Sequence, residues 1–425
     1  MKLWQFTDLH LCVRENPEEL RFGPGQTALA QSEDIIDACL AAFLAQQDCD
    51  TLLLSGDLTQ TGHPDEHRAM VEKLRRVQSL GRTQGSCKRV IAITASHDHK
   101  TIGSKNCQQL REMYAPFGPD QAIARYNDGH AFVMQLEPGL RLLCINDHGR
   151  ERPPLWLPWA LEQVRLSRAQ GEVIFGMTHL PSLPPSPVYS IIEPNAVLPL
   201  ETVHALADAG LPFLLTGHSH IHNVAPIVTP ADSPYWDVNT SALVGYPGKF
   251  RVLETEDGFV HITSREIPHI PAFGDLGARE FLREIFDELL VNMFDGLDHD
   301  YDLFARSVGV GIDPAPVYKL KWLLKPVGKI ICRVTLGGLA RLLLCNIPKD
   351  ARKLLLRDIL VEGMRNIYAG EEPYGPDTGV GKAFLAYGKR LNFLRRKLSV
   401  VDLPAFLLSL VYDDTPDDEV TIPLR

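Results

Sequence analysis

The chain has 425 residues, 45% hydrophobic and 23% charged, and carries a formal net charge of −10. That length exceeds one ordinary core and points to two domains, while the apolar fraction is ample for globular packing. Net negative charge argues against wholesale coating of nucleic acid, and no apolar run reaches the roughly 18 residues that span a bilayer. The chain opens in a strand-like run, with no charged and then apolar leader, so a cytoplasmic location is expected. Its eight cysteines contain no C-x-x-C pair, and most lie in apolar stretches, so buried reduced thiols are expected.

The first half alternates between strand and helix patterns. Residues 3–7 read as a strand, and a helix follows over 32–46, where Ile35, Ile36, Ala38, Cys39, Leu40 and Phe43 form an apolar stripe. A strand at 51–55, a helix at 65–80 and a strand at 90–94 continue the pattern and imply parallel pairing. From about residue 130 the pattern changes: segments 131–136 and 141–146 flank Glu137-Pro138-Gly139 and read as a hairpin. Strands are predicted at 173–177, 213–216 and 235–239, then at 250–254 and 259–263 around a Glu256-Asp257-Gly258 turn. The prolines of 267–274 mark a linker between a first domain, 1–267, and a helical second one, 275–425. Helices are predicted there at 275–295, 317–325, 327–344, 349–363, 379–393 and 403–410. The acidic, Pro-broken end at 413–419 is expected to fray.

Five polar segments each follow a strand-like run: Asp8-Leu9-His10, Gly56-Asp57, Ser96-His97-Asp98, His179, and Gly217-His218-Ser219-His220. Strands ending at one sheet edge can bring distant carboxylates and imidazoles into one cleft. Hard oxygens combined with borderline nitrogens suit Mn, Fe, Zn or Ni rather than Ca. In order and approximate spacing these blocks resemble the calcineurin-like metallophosphoesterase superfamily over roughly the first 265 residues. Thr7-Asp8-Leu9-His10, Ser55-Gly56-Asp57-Leu58-Thr59 and Thr216-Gly217-His218-Ser219-His220-Ile221 resemble its cyclic-nucleotide phosphodiesterase branch, and the helical tail resembles two-domain members of Gram-positive bacteria.

The resemblance implies an α/β fold, a two-sheet αββα sandwich followed by an all-α C-terminal domain. It also implies two divalent metal ions, Mn or Fe first, with Zn or Ni as alternatives. Asp8, His10, Asp57 and His220 would hold one ion, and Asp57, His179 and His218 the other, with Asp57 bridging. A hydroxide between the ions would attack phosphorus while His97 assists the leaving group, and Asp98 would fix the His97 tautomer and raise its pKa. The family usually has Asn before this His, as a ligand to the second ion. Here Ser96 offers a shorter neutral hydroxyl, so the second ion is expected to be the weaker one. The implied activity is hydrolysis of a small phosphodiester, a cyclic nucleotide first. A phosphomonoesterase, a nucleotide-pyrophosphate hydrolase, or a metal-poor phosphate-binding module without turnover remain open; intact His97 and Asp98 argue against the last.

Of the other histidines near these blocks, 63, 67, 99 and 148, His67 and His99 are the best placed to reach substrate. The prolines of Pro181-Ser182-Leu183-Pro184-Pro185-Ser186-Pro187 stiffen a loop that could shape the pocket. Between Lys319 and Arg365 eleven Lys or Arg face only three acids, so this stretch carries +8 and the rest of the chain −18. It reads either as the solvated faces of ordinary amphipathic helices or as a positive surface for an anionic ligand, lipid or nucleic acid.

Overall fold

In a first sheet, short apolar strands send alternate residues to opposite sides, and both sides are covered. The computed structural model describes residues 1–13, 27–83, 88–101, 107–146, 153–186, 189, 195–308, 318–319, 321–395 and 402–424. Strands β1 (Lys2–Phe6), β2 (Thr51–Ser55) and β3 (Arg89–Ile93) pair in parallel. Trp4, Phe6, Leu52, Leu54, Val90 and Ala92 face helices Ser32–Ala45 and Pro64–Thr83, and Leu3, Leu53, Ile91 and Ile93 face a second sheet. Period-two side-chain alternation makes this division unavoidable once both faces are buried.

The second sheet contains β4 (Ala124–Tyr126), β5 (Ala131–Glu137), β6 (Leu140–Ile145), β7 (Val173–Met177), β8 (Phe213–Thr216), β9 (Asn223–Val228) and β10 (Pro234–Asn239). Its order is β4-β5-β6-β7-β8-β10-β9. The 137–139 turn is the expected antiparallel hairpin, while β6, β7, β8 and β10 run parallel. Phe132, Leu142, Phe175, Phe213 and Val238 from this sheet interleave with the inner face of the first. Helices Pro153–Ala169 and Leu200–Ala209 cover its outer side. The result is the helix–sheet–sheet–helix sandwich.

The first sheet continues antiparallel from β1 to β11 (Lys249–Glu256), β12 (Phe259–Glu266) and β13 (Glu419–Pro423). The end expected to fray, 413–419, is instead held: Asp417 is buried and accepts from Val224 N–H at 2.6 Å, and β13 begins at Glu419. Ile422 is fully buried opposite Val260, and Leu424 joins the core between the sheets. Acid content and proline had suggested fraying, but the open edge of β12 supplied a ladder that local sequence cannot reveal.

The linker forms a 3₁₀ turn at Pro271–Phe273, and helix Ala278–Asp298 follows it. Leu282, Phe286, Leu289 and Leu290 of this helix enter the core with Trp4 and Phe6, and Tyr246 stacks on Phe286 at 5.4 Å. The remaining helices surround a separate cluster that includes Leu336, Ile359, Val380, Phe384, Tyr387 and Val411.

Several elements depart from expectation. Helices Cys107–Tyr114, Pro153–Ala169 and Leu200–Ala209 and strand β9 were unforeseen, since prolines mask the second helix at its start and at Pro158. Helix Lys321–Arg333 runs through Pro326, where a break was expected. The predicted helix at 349–363 begins instead as a 3₁₀ turn, Ala351–Lys353, and the α-helix spans Leu356–Ala369. Cys39, Cys49, Cys144 and Cys332 are buried thiols. No helix among the described residues is long and apolar enough to cross a membrane.

Ile422→Ala tests the closing strand. It should lower unfolding free energy by about 2–5 kcal/mol, as expected for truncating a fully buried side chain, measured by denaturant unfolding. A loss within about 0.5 kcal/mol, typical of surface positions, would mean the strand is detached in solution.

Candidate metal centre

Strands β1, β2, β7 and β8 end on the same side, and the six strand-end carboxylates and imidazoles gather there. Asp8, His10 and His220 each offer one ligand atom, and these lie within 4.8 Å of one another; so do those of Asp57, His179 and His218. Asp57 also groups with His10 and His97, which places it between the two sets.

Local backbone geometry makes this convergence possible. Asp8, His10, Asp57, His218 and His220 all have left-handed backbones, with φ of 51°, 42°, 48°, 67° and 60°. Asp and His tolerate this region better than most residues, so the chemistry and the turn select the same residue types. Each such turn costs on the order of 1–3 kcal/mol and persists only where the surroundings enforce it. Here the strand ladder continues into the loops: Asp8 N–H donates to Gly56 O (3.1 Å), His10 N–H to Asp57 O (3.0 Å) and Gly217 N–H to His179 O (2.9 Å). Glycine is required beside two ligands. A Cβ on Gly56 would lie 2.8 Å from the His179 ring, and one on Gly217 would lie 2.1 Å from Thr7 Oγ1 and 2.5 Å from Asp8 Oδ2.

The atoms are spaced as ligands around a shared cation. Asp8 Oδ1 is buried without a hydrogen-bond donor, yet the Nε2 atoms of His10, His179 and His220 stand 3.6, 3.8 and 3.4 Å from it. His10 Nε2 and His220 Nε2 face each other at 3.1 Å, and His179 Nε2 lies 3.1 Å from Asp57 Oδ2. Ligands about 2.1 Å from one divalent ion stand roughly 3–3.5 Å apart. The second oxygen of Asp8 is held by Thr7 Oγ1 (2.8 Å) and His218 N–H (2.9 Å). His179 Nδ1 donates to Ser55 O at 2.9 Å, which leaves Nε2 as the ligand atom. This donor set fits a pair of divalent cations.

Electrostatics agree with that fit. Burial alone would raise both carboxyls. Only together do His179, His10 and His220 at Asp8, and His179, His97 and His10 at Asp57, outweigh it and hold both well below the usual carboxylate range. Burial, aided by the charge of His179, lowers His218 to about 4, so its imidazole is neutral and can coordinate.

His97 lies beside this centre, its ring 4.6 Å from that of His10. Both ring nitrogens already face other groups: Nδ1 meets Gln60 O at 2.8 Å, and Lys100 Nζ stands 2.8 Å from Nδ1 and 2.9 Å from Nε2. The expectation that Asp98 sets this tautomer is overturned. Asp98 instead accepts from Leu58 N (3.3 Å), Thr59 N (2.9 Å), Thr59 Oγ1 (2.8 Å) and Ala95 N (2.9 Å), and so ties the Asp57 loop to the His97 loop. Nor is the His97 pKa raised, because burial pushes it down to about 3 in the metal-free chain. Ser96 is exposed at the cleft, its Oγ 3.5 Å from Asp57 Oδ1, while His97 N–H donates to that same oxygen at 2.8 Å.

A family model for calcineurin-like phosphoesterases matches residues 1–222, more than half of the sequence. The chain belongs to the calcineurin-like phosphoesterase family. The family works through a dinuclear metal centre, and membership supports hydrolysis of a phosphoric ester. Among solved structures, the chain is similar to a dimetal phosphatase from Danio rerio, at 12% identity and a TM-score of 0.43, covering 63% of this chain and 96% of that one. A purple acid phosphatase from yellow lupin seeds shares 12% identity at a TM-score of 0.42, and the match spans 63% of this chain and 51% of the lupin enzyme. No curated protein matches.

The neighbouring histidines divide differently from expectation. His67 is fully buried, bonded to Tyr114 Oη and Asp98 O at 2.9 Å each, and supports the loop rather than a substrate. His99 is only 8% exposed, and His148 lies outside the described residues. In the proline loop, Leu183 packs under the second sheet and Ser182 meets Tyr235 Oη at 2.6 Å. Lys100, three residues after His97, was overlooked; the single-turn spacing was its only signal. The tail meets the ligand edge where His222 N–H donates to Tyr368 O at 3.1 Å. Four of the tail's cations are engaged with acids nearby: Lys321 with Asp302, Arg333 with Asp298, Arg357 with Asp295 and Arg365 with Asp287.

Replacing Asp57 and His97 separates ligand from non-ligand roles. Asp57→Ala should purify with neither ion, whereas His97→Ala should retain both and lose about 10²–10⁴-fold in turnover. Elemental analysis of the two proteins decides it, and an empty His97→Ala centre would make His97 a ligand.

Proposed function

We propose that this centre hydrolyses phosphodiesters, with a cyclic nucleotide as the first substrate class. The observation that carries the reading is the pair of three-residue ligand sets around Asp57. When bound, two divalent cations, Mn or Fe first, neutralise the non-bridging phosphoryl oxygens and lower the pKa of the attacking water. Asp8, His10 and His220 would hold one cation, and His179 and His218 the other, with Asp57 shared. Ser96, beside Asp57, would complete the second set through its hydroxyl or a water.

The protein's own groups then serve the leaving oxygen. His97 is oriented by the Gln60 carbonyl, which accepts from Nδ1, and the negative charge of a bound phosphate would raise the ring's proton affinity so that Nε2 carries a proton to the departing alkoxide. Lys100 holds an ammonium 2.8 and 2.9 Å from the two ring nitrogens, where it would offset the charge that gathers on the leaving oxygen. The sequence likeness of the three ligand blocks to the cyclic-nucleotide branch supports the choice of a diester.

Chelation should abolish hydrolysis, and Mn or Fe should restore it better than Mg, with bis-p-nitrophenyl phosphate turned over faster than p-nitrophenyl phosphate. Full activity after dialysis against EDTA would refute the two-metal reading, whereas a monoester preference would overturn only the substrate class.

Ser96→Asn should tighten the second cation by up to about 10–100-fold, the scale seen when groups supporting a metal site are altered. Calorimetric Mn titrations of both proteins check this, and equal affinities would make the Ser96 hydroxyl a competent ligand.

A further inference from the structure

Away from the paired-metal cleft, a second group of acids gathers where the C-terminal segment returns to the sheets. Glu372, Asp413 and Asp417 each bring a carboxylate oxygen within 4.8 Å of the others. They line a cleft of about 610 Å³ formed with Gly370, Tyr412 and the chain leading into β13.

Acidic clusters are common, and this one alone would carry little; two buried acceptors give it a direction. Asp417 is 2% exposed, with Oδ1 accepting from Val224 N–H at 2.6 Å while Oδ2 meets no donor. Asn223 is 5% exposed, with Nδ2 donating to Asp413 Oδ2 at 3.2 Å while Oδ1 likewise meets no donor. Buried oxygens of this kind are ordinarily satisfied.

Charge points the same way. The buried Arg251 donates to Asp417 O and offsets one carboxylate. Lys249 is occupied by Glu371 at 3.0 Å and Asp418 at 2.9 Å. With all three carboxyls ionised, one guanidinium would leave two negative charges for a cation to offset. Burial, reinforced by mutual repulsion, pushes Glu372 up to about 9 and Asp417 up to about 8, so without a cation the cluster holds protons that a metal would displace.

We propose that Glu372, Asp413 and Asp417, completed by the Asn223 side-chain oxygen, bind a hard divalent cation of the calcium type. The donors are all oxygen, unlike the imidazole-rich centre, and such sets suit Ca, Mg or Mn rather than Fe or Zn. They come from three separate stretches: the start of β9, the turn after helix Leu356–Ala369, and the approach to β13. The ion would therefore pin the tail and the closing strand to β9, which begins three residues after His220. The site is independent of the phosphodiesterase reading.

The test uses the full chain, stripped by chelator. Calorimetric titration with Ca²⁺ on the Asp57→Ala background, which removes the shared ligand of the paired-metal centre, should show one site per chain. Adding Glu372→Gln should weaken it by about tenfold or more. In the otherwise unmodified chain carrying two equivalents of Mn²⁺, enough for the paired-metal centre alone, Ca²⁺ should raise Tm, and Glu372→Gln or Asp413→Asn should remove that rise while leaving Tm in chelator and Mn²⁺-dependent turnover unchanged. Tb³⁺ should give luminescence sensitised by Tyr412, competed by Ca²⁺ and lost in Tyr412→Phe. Absence of Ca²⁺ binding in the Asp57→Ala chain, or an unchanged Ca²⁺ response in both acid variants, overturns the site.

Discussion

Asp57 stands at the end of β2 with a left-handed backbone and a fully buried carboxylate between two sets of imidazoles, and the rest of the molecule is arranged to hold it there. Neither condition is comfortable. The backbone is strained, and a buried anion without compensation is strongly disfavoured. Four other ligands, Asp8, His10, His218 and His220, share the backbone strain. Loops alone could not enforce five such turns. The parallel ladder of β1 and β2 does so for Asp8, His10 and Asp57 by continuing past the last strand residues, the Gly217–His179 bond does so beside His218, and Asp98 braces the Asp57 loop by accepting from both Thr59 and Ala95. The two-sided burial of those strands makes the ladder stiff, so core packing and site geometry depend on one another.

The C-terminal half extends this support around the back of the ligand edge. Helix Ala278–Asp298 covers part of the first sheet, and β13 closes its open side. Between them, Arg251 is wholly buried and donates to Asn239 O, Asp417 O and Ser264 Oγ. A guanidinium supplies several donors in a fixed plane, which suits it to joining a strand of each sheet and the returning tail. Asn239 in turn donates to Thr216 Oγ1 and Gly217 O, directly beside His218. The tail therefore reaches the ligand loop through the Arg251 guanidinium and the Asn239 amide.

That conclusion reshapes the meaning of the basic stretch. Its surplus of +8 counts residues in sequence, whereas acids from helix Ala278–Asp298 and the helix after it lie beside four of those cations in space. Exposed pairs of this kind contribute little stability, yet they remove much of the field that an isolated basic segment would project. The cation beside His97 comes instead from Lys100, in the turn after β3.

The sequence by itself determined the strands that carry the ligands, the residues that converge at their ends and the family they resemble. Those features are local: apolar runs with period two, and Asp, His and Gly at turns that few other residues accept. It also placed His97 beside the centre, because the residue follows a strand parallel to β2. Only the tertiary structure decided what Asp98 does, since the acceptor of His97 Nδ1 is a backbone carbonyl at Gln60, and any residue type could supply that. It likewise decided that His67 supports a loop, that residues 419–423 form a strand, and that Asp413 and Asp417 meet Glu372 across the fold. Each of these depends on a partner far away in the chain. A one-dimensional pattern records the propensity of a segment and not the vacant edge or unpaired acceptor that awaits it.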